Sequence, residues 1–284
     1  MVAPIRVVIV ANSDKPRAAE LAARAEELLR GLRAETYVST NRKEDLSRYH
    51  PHLAVVFGGD GTVLGAVGAL GPEPPDIVAF NIGHLGYLAE NPPEDLAEIL
   101  RKALAGELWS SRRMMIEASV NNQHRRWTEC ALNEFVISYR HNRRQLPFSV
   151  RVNGEELMDV RGDGLILATP TGSTAYCLSA GGPVASPELA AIILTPLCPH
   201  QLANRSLVLN PGETVSIVHH GEHAVEVMAD GRICLELPRN EELTVRLSRR
   251  QVNFLYQPRG RYKLLREKLG WGWKAGNDDE RQPE

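Results

Sequence analysis

At 284 residues the chain has room for two hydrophobic cores, since domains commonly run about 100–200 residues. Its 33 basic and 35 acidic side chains leave a formal charge of −2, which gives no general affinity for polyanions, argues against nucleic acid as the main partner and requires any basic site to be local. Cys130, Cys177, Cys198 and Cys234 form no Cys-x-x-Cys pair, which argues against a zinc site or a disulfide framework and suits a reducing compartment, so the expected location is the cytoplasm.

In chain order, the apolar run from Val7 to Ala11 is too short for a signal core and follows Arg6 as a first strand would, and no stretch approaches the length of a membrane span. Ile5 to Val10 reads as a strand bounded by Asn12-Ser13-Asp14. Pro16 then opens a helix with Leu21, Ala25, Leu28 and Leu32 on one face. A strand near Thr36–Val38 precedes the run Leu53–Phe57, which breaks into Gly58-Gly59-Asp60-Gly61-Thr62 and resumes as Val63–Val67: buried strand, tight turn, helix start. Asp76–Asn81 supplies a fourth strand, followed by Ile82-Gly83-His84-Leu85-Gly86-Tyr87, and Asn91–Asp95 starts a helix carrying Leu96, Ile99, Leu100 and Leu104 that ends near Gly106. Strands alternating with helices mean a mostly parallel sheet, whose ligands sit beyond the carboxyl ends of the strands. The turns after Phe57 and Phe80 should therefore share one crevice.

The glycine turn organises this half. Glycines let the backbone approach phosphate oxygens closely, and the amides at the start of the following helix point outward at the positive end of its dipole. Asp60 puts a full negative charge inside that cradle. The charge is repulsive unless it holds Mg²⁺ or takes a proton from an attacking hydroxyl, and both roles mean phosphoryl transfer. The plain alternative is an aspartate that caps its own helix.

From about Arg112 the texture changes to short alternating or apolar runs separated by turn residues: Met115–Val120, Glu134–Tyr139, Phe148–Val152, Gly164–Ala168, Leu207–Leu209, Val215–Val218, Ala224–Val227 and Leu243–Leu247. This predicts a second, β-rich domain built as a sandwich, with Asn153-Gly154 as a two-residue hairpin turn. After Pro258 an amphipathic helical pattern (Tyr262, Leu264, Leu265, Leu269, with Trp271 and Trp273) should pack back on the first domain, and the polar tail 275–284 should be disordered.

Two stretches of the β-rich half carry chemistry. Arg161 to Tyr176 sets Arg161, Asp163 and a hydroxyl cluster, Thr171, Ser173 and Thr174, at the two ends of an apolar strand, with Tyr176 offering a flat face for a base; the alternative is a Ser/Thr-rich helix cap with Tyr176 in the core. Asn133-Glu134 supplies a carboxylate that can accept from both hydroxyls of a vicinal diol and an amide beside it, provided the strand is kinked there, because alternate strand residues face opposite ways. Three further features read as structural: His219-His220-Gly221-Glu222-His223 as a solvated hairpin rather than a metal cluster, the basic run Arg140–Arg144 as a solvated face, and Met114-Met115 as core filler.

With these residues in hand, the chain resembles the NAD kinase family over nearly its whole length. The family's Gly-Gly-Asp-Gly-Thr is Gly58 to Thr62, its Asn-x-Gly-x-Leu-Gly-(Phe/Tyr)-Leu is Asn81 to Leu88, its Asn-Glu is Asn133-Glu134, and its Asp-Gly-x-x-x-(Ser/Ala)-Thr-Pro-(Thr/Ser)-Gly-Ser-Thr-Ala-Tyr is Asp163 to Tyr176. Ser179 to Pro183, Pro199-His200, Asp230-Gly231 and the Leu265 to Trp271 ending also look like the family. The resemblance implies Mg²⁺-dependent transfer of the γ-phosphoryl of ATP, or of polyphosphate in some members, to the 2′-hydroxyl of the adenosine ribose of NAD.

Carried over residue by residue, it implies Asp60 as the base, Gly58, Gly59, Gly61 and Thr62 at the donor phosphates, and Gly61 also against NAD. Asn133 and Glu134 would hold the adenosine, Arg161 and Asp163 would approach NAD, Asp163 often across a subunit contact, and Thr174, Ala175, Tyr176 and Ser179 would line the dinucleotide site. Arg144 falls at a softer basic contact. One departure is Arg232, where many members have Gln. The implied architecture is an N-terminal Rossmann-like α/β domain (1–111), a C-terminal β-sandwich domain (112–257) and a segment (258–274) returning to the first domain, assembled as a homodimer or homotetramer without membrane or nucleic-acid partners. Another Gly-Gly-Asp-Gly kinase, of diacylglycerol or fructose 6-phosphate, and a non-catalytic dinucleotide sensor are the alternatives.

Overall fold

The run Leu53–Gly58 becomes β3, buried along its length, because both faces of its sheet are covered. Leu53, Val55 and Phe57 enter one core and Ala54 and Val56 another, the period of two expected of a strand. The computed structural model describes residues 4–41, 44–83, 86–139, 146–201, 203–257 and 261–270. β1 (Arg6–Ala11), β2 (Glu35–Ser39), β3 and β4 (Asp76–Asn81) pair in parallel in the order β2-β1-β3-β4.

Helices α1 (Pro16–Gly31) and α3 (Leu96–Ala105) cover one face, and α2 (Asp60–Ala69) lies on the other. Pro16 begins α1, where a missing N–H is harmless. The stripe that α1 buries is Ala18, Leu21, Ala22, Ala25 and Leu29. Leu32, expected on it, falls beyond the helix end and is exposed. Phe57 stacks on Phe80 of the neighbouring strand, centroids 5.1 Å apart, which sets the ends of β3 and β4 side by side.

The β-rich half comprises β5 (Trp109–Asn121), β6 (Arg126–Ala131), β7 (Glu134–Ser138), β8 (Leu146–Val152), β9 (Glu155–Gly162), β10 (Gly164–Ala168), β11 (Ile192–Leu197), β12 (Leu207–Leu209), β13 (Val215–His219), β14 (Val225–Ala229), β15 (Arg232–Leu237) and β16 (Glu242–Tyr256), with the one-turn helix α4 (Tyr176–Ser179) after β10. The pattern read as a short strand at Leu243–Leu247 extends over 15 residues in β16. β16 pairs antiparallel with β13 and β5 and reaches β4 in parallel at Phe254↔Ile77, so one ten-stranded sheet runs from the α/β half into the β-rich half. The second sheet has the order β12-β11-β10-β7-β14-β15. Its inner residues Phe135, Ile137, Leu165 and Leu167 pack against Phe148, Val150, Ile217 and Val245 of the first sheet in a single sandwich core.

Asn153 and Gly154 both have positive φ, 52° and 84°, which is the type I′ turn joining β8 to β9. Met114 and Met115 are both buried, one in the sandwich core and one in the cluster under α2. The histidine run is not the solvated hairpin expected from its polarity. β13 and β14 belong to different sheets, His219 is fully buried with Nε2 3.1 Å from the carbonyl oxygen of Leu237, and burial pushes its pKa down. After β16, α5 (Arg261–Leu269) returns to the first half, with the Lys268 ammonium 5.5 Å from the Tyr87 ring centroid. Trp271, Trp273, the tail from 275 and the basic run Arg140–Arg144 lie outside the described residues.

Candidate active site

The carboxyl ends of β1, β3 and β4 meet as the strand pattern requires. Asn12 N–H donates to the carbonyl of Phe57 (3.0 Å) and Ile82 N–H to that of Gly58 (3.2 Å), which stitches the three strand ends together around the glycine turn. Gly59 is the N-cap of α2, with no side-chain cap, and its carbonyl accepts from Thr62 and Val63 N–H. A Cβ on Gly58 would come within 2.3 Å of Thr62 Oγ1, so glycine is required there for the threonine to fold over the turn.

Asp60 does not cap its own helix. Its carboxylate turns across the crevice to the segment after β4, Oδ2 accepting from Tyr87 N–H (2.8 Å) and Oδ1 from Leu88 (3.0 Å) and Ala89 N–H (3.2 Å). A Cβ on Gly86 would lie 2.1 Å from Oδ1, so the second glycine of Asn81–Leu88 is what admits the carboxylate. With two in-plane acceptor positions per oxygen, one position on Oδ2 remains for a further donor. The neighbouring negative charge, after burial, raises the Tyr87 phenol. Among the described residues no group of three or more His, Cys, Asp or Glu side chains could hold a metal ion.

The second cluster is built on another aspartate, which sequence reasoning passed over as a motif without a job. Asp230 and Gly231, φ 47° and 76°, are the two central residues of the β14–β15 hairpin. The Asp-Gly pair between alternating strands was the signal that could have found it. The Asp230 carboxylate accepts from Leu132 (2.9 Å), Asn133 (2.7 Å) and Glu134 N–H (3.2 Å), and so interrupts the chain between β6 and β7. That break is a kink of the kind the sequence reading requires at Asn133-Glu134. Both are nearly buried, and Asn133 Oδ1 and Glu134 Oε2 have no hydrogen-bond partner among the described residues. Burial, with the Asp230 charge second, pushes the Glu134 carboxyl up to about 8. Burial also raises Asp230, but Asp230 has three N–H donors and Glu134 Oε2 has none, so the proton resides on Glu134.

The turn after β10 lies against this kink. Thr169 N–H donates to the carbonyl of Asn133 (2.8 Å), Thr169 Oγ1 to that of Leu132, and a Cβ on Gly172 would sit 2.2 Å from Asn133 O. Between them Thr171 Oγ1 is a third buried polar atom without a partner. Ser173 is used structurally instead, its hydroxyl donating to Pro170 O (2.7 Å) and accepting from Ala185 N–H (3.0 Å), and Thr174 Oγ1 donates to Thr171 O (3.3 Å). Tyr176 is 47% exposed, not a core residue, and Ala175 and Ser179 flank it at the same surface.

The two clusters meet in one apolar cluster that contains Leu88, Ala89, Leu132 and the Val63, Ala66 and Val67 side chains of α2. Arg232, the departure from the family pattern, reaches to the last turn of α2, where a Cβ on Gly68 would come 3.3 Å from its Nη2. Arg161 and Asp163 are not brought to the kink. Glu134 pairs with Ala168 at one end of β10, whereas Asp163 precedes Gly164 at the other, roughly 16 Å away along the strand. Asp163 accepts from the thiol of Cys198 there and raises its pKa. Arg144 lies outside the described residues.

Two family models match the chain, the ATP-NAD kinase N-terminal domain over residues 48–108 and the ATP-NAD kinase C-terminal domain over 132–256. An NAD kinase 2 of Prochlorococcus marinus is 37% identical over 223 residues, covering 78% of this chain and 74% of that one. An NAD kinase of Shewanella frigidimarina is 38% identical over 232 residues, covering 79% and 74%. Among solved structures, yeast NADH kinase complexed with NADH has the same fold (TM-score 0.86, 22% identity, 99% of this chain and 90% of that one). An NAD kinase from Archaeoglobus fulgidus in complex with ATP superposes with TM-score 0.77 at 27% identity, covering 94% and 98%.

Proposed function

The chain belongs to the NAD kinase family and is an enzyme of that kind, and from that premise we propose that it phosphorylates NAD at the 2′-hydroxyl of the adenosine ribose, with ATP as donor and Asp60 as base. The observation that carries this reading is the trio of buried, unpartnered polar atoms, Asn133 Oδ1, Glu134 Oε2 and Thr171 Oγ1, on two abutting segments. Native interiors leave few such atoms, and a sugar-bearing ligand supplies the missing partners. Glu134 Oε2 accepts from the 3′-hydroxyl of the ribose diol, which leaves the 2′-hydroxyl proton for Asp60; Asn133 and Thr171 bond the adenosine, and the exposed Tyr176 ring gives the base a face. The polar character of the site disfavours a lipid acceptor.

In the reaction the open position on Asp60 Oδ2 takes the proton of the 2′-hydroxyl. The oxygen forms its bond to the γ-phosphorus as the bond from that phosphorus to the β-bridging oxygen breaks, and ADP leaves. The three N–H donors on Asp60 hold the carboxylate in place for that transfer. Mg²⁺ bound with the donor would supply neutralisation of the phosphate charge beside Asp60 and the glycine turn. Arg161 and Asp163, at the far end of β10, complete a neighbouring subunit's dinucleotide site in a homodimer or homotetramer.

The test is incubation of the purified protein with ATP, Mg²⁺ and NAD, with NADP read by a dehydrogenase that accepts only NADP. Steady NADP formation is expected. NAD binding without any NADP would leave a sensor, not a kinase.

A further inference from the structure

We infer that Lys15 is a donor-phosphate residue, its ammonium lying across the Gly58-Gly59 turn to hold the terminal phosphates of the phosphoryl donor. The inference rests on the reading above that this turn takes the donor, and it adds a cation to that turn.

Three observations carry it. First, β3 lies between β1 and β4 in the sheet, and the outer two strands are therefore roughly 10 Å apart. Lys15 comes from the loop after β1, yet its Nζ donates to the carbonyl of Ile82, which follows β4. The side chain must therefore cross the carboxyl end of β3, where the glycine turn sits. Second, Ile82 is itself bonded through its N–H to Gly58 O, so the ammonium is seated one residue's carbonyl from the turn. Third, Gly83 has φ 119°, and a Cβ there would stand 3.1 Å from Nζ. Each glycine of the Asn81–Leu88 segment thus makes room for a charged group, Gly83 for the ammonium and Gly86 for the Asp60 carboxylate.

An ammonium has three donors, and the Ile82 carbonyl occupies one. The others suit a compact, rotatable point charge acting on phosphate oxygens. Such a charge adds to whatever neutralisation the donor brings with it, because the Asp60 carboxylate stands beside the same phosphates and repels them. The same chemistry fits the phosphates of a nucleoside triphosphate and those of an inorganic polyphosphate.

The experiment compares the full chain with Lys15→Gln and Lys15→Arg, using ATP in one arm and tripolyphosphate in the other. With a charge-assisted contact removed, Lys15→Gln should raise the KM of whichever donor is used by about tenfold or more, leave the KM of NAD within about twofold, and be largely restored by Lys15→Arg. A readout without turnover is the rate at which acetic anhydride acetylates Lys15, followed by mass spectrometry. A non-hydrolysable ATP analogue or tripolyphosphate should slow it severalfold, and NAD alone should not. If Lys15→Gln leaves the donor KM unchanged, or raises both KM values together while lowering the thermal midpoint, Lys15 is only a strap between strand ends and the inference is wrong. A wild-type protein that makes no NADP would overturn the activity, whereas the acetylation result still decides Lys15.

Discussion

Asp60 and Asp230 are the same hydrogen-bonding device built twice. In each, one carboxylate oxygen takes two backbone N–H groups and the other takes one, from three consecutive residues: 87–89 for Asp60 and 132–134 for Asp230. In each, apolar side chains of the held segment, Leu88 and Ala89 or Leu132, enter the same cluster beneath α2. They differ in where the chemistry lies. The segment held by Asp60 has its apolar side chains in the core, and the aspartate itself keeps an acceptor position beside the glycine turn. The segment held by Asp230 carries Asn133 and Glu134, so under the proposed function the aspartate there is the frame and the held residues are the ligand contacts. Three N–H bonds to a carboxylate therefore do not define a role; what stands next to the carboxylate does.

The sharpest way to break this distinction is to replace each aspartate by asparagine, which keeps the shape and removes the charge. Asp60→Asn should lower turnover about 10²-fold or more while leaving NAD affinity within about twofold, read by initial rates and calorimetry. Gly86→Ala should reach the same carboxylate from the other side, since the new methyl would occupy the place of Oδ1, and turnover should fall about tenfold or more with little change in NAD binding. Near-normal turnover in either variant would remove Asp60 from the chemistry.

The next effect belongs to the Asp230 cluster and is read in pH. The free Glu134 carboxyl sits at about 8, and the ribose diol needs it ionised, so binding should release a proton below that pH. NAD affinity is then expected to rise as pH rises from about 6 to 8, by up to about tenfold per unit, with Glu134→Gln flattening the profile. The stability of the ligand-free protein should move the opposite way. A carboxyl whose pKa is raised on folding holds its proton longer when folded, so this contribution falls as pH rises from the ordinary carboxylate value towards 8. An affinity profile identical in the variant would place the diol elsewhere.

Asp230→Asn should sharpen the contrast from the other side. Losing a charged acceptor for three N–H groups is expected to destabilise by about 1–3 kcal/mol and to raise the KM of NAD more than it lowers kcat. A kcat loss as deep as that of Asp60→Asn would make the two aspartates equivalent after all. The smallest change is Gly231→Ala, where no atom stands within 4 Å of the added methyl and only the positive φ is strained. About 1 kcal/mol of stability and no change in activity is the expected outcome, measured by thermal unfolding beside the assay.

Several features were legible in the residues alone because a few neighbouring positions decide them. The glycine turn after β3, Pro16 at the start of α1, the Asn153-Gly154 hairpin and the meeting of the turns after Phe57 and Phe80 follow from φ/ψ preference, period-2 burial and the alternation of strands with helices. The burial of His219 was misread, since a polar run looks the same in a hairpin as in a crossing between sheets.

By itself, then, the sequence determined the local turns, the two textures of the chain and which polar side chains stand at those turns. Tertiary structure alone decided their partners. Asp60 finds its N–H donors 27 to 29 residues away, Asp230 its own 96 to 98 away, and Lys15 its carbonyl 67 away. These separations are closed by strand order and register, with β16 joining the two halves in one sheet. Local conformational preference acts within a turn or two, whereas pairing across a sheet depends on the burial of whole faces, which no short stretch encodes.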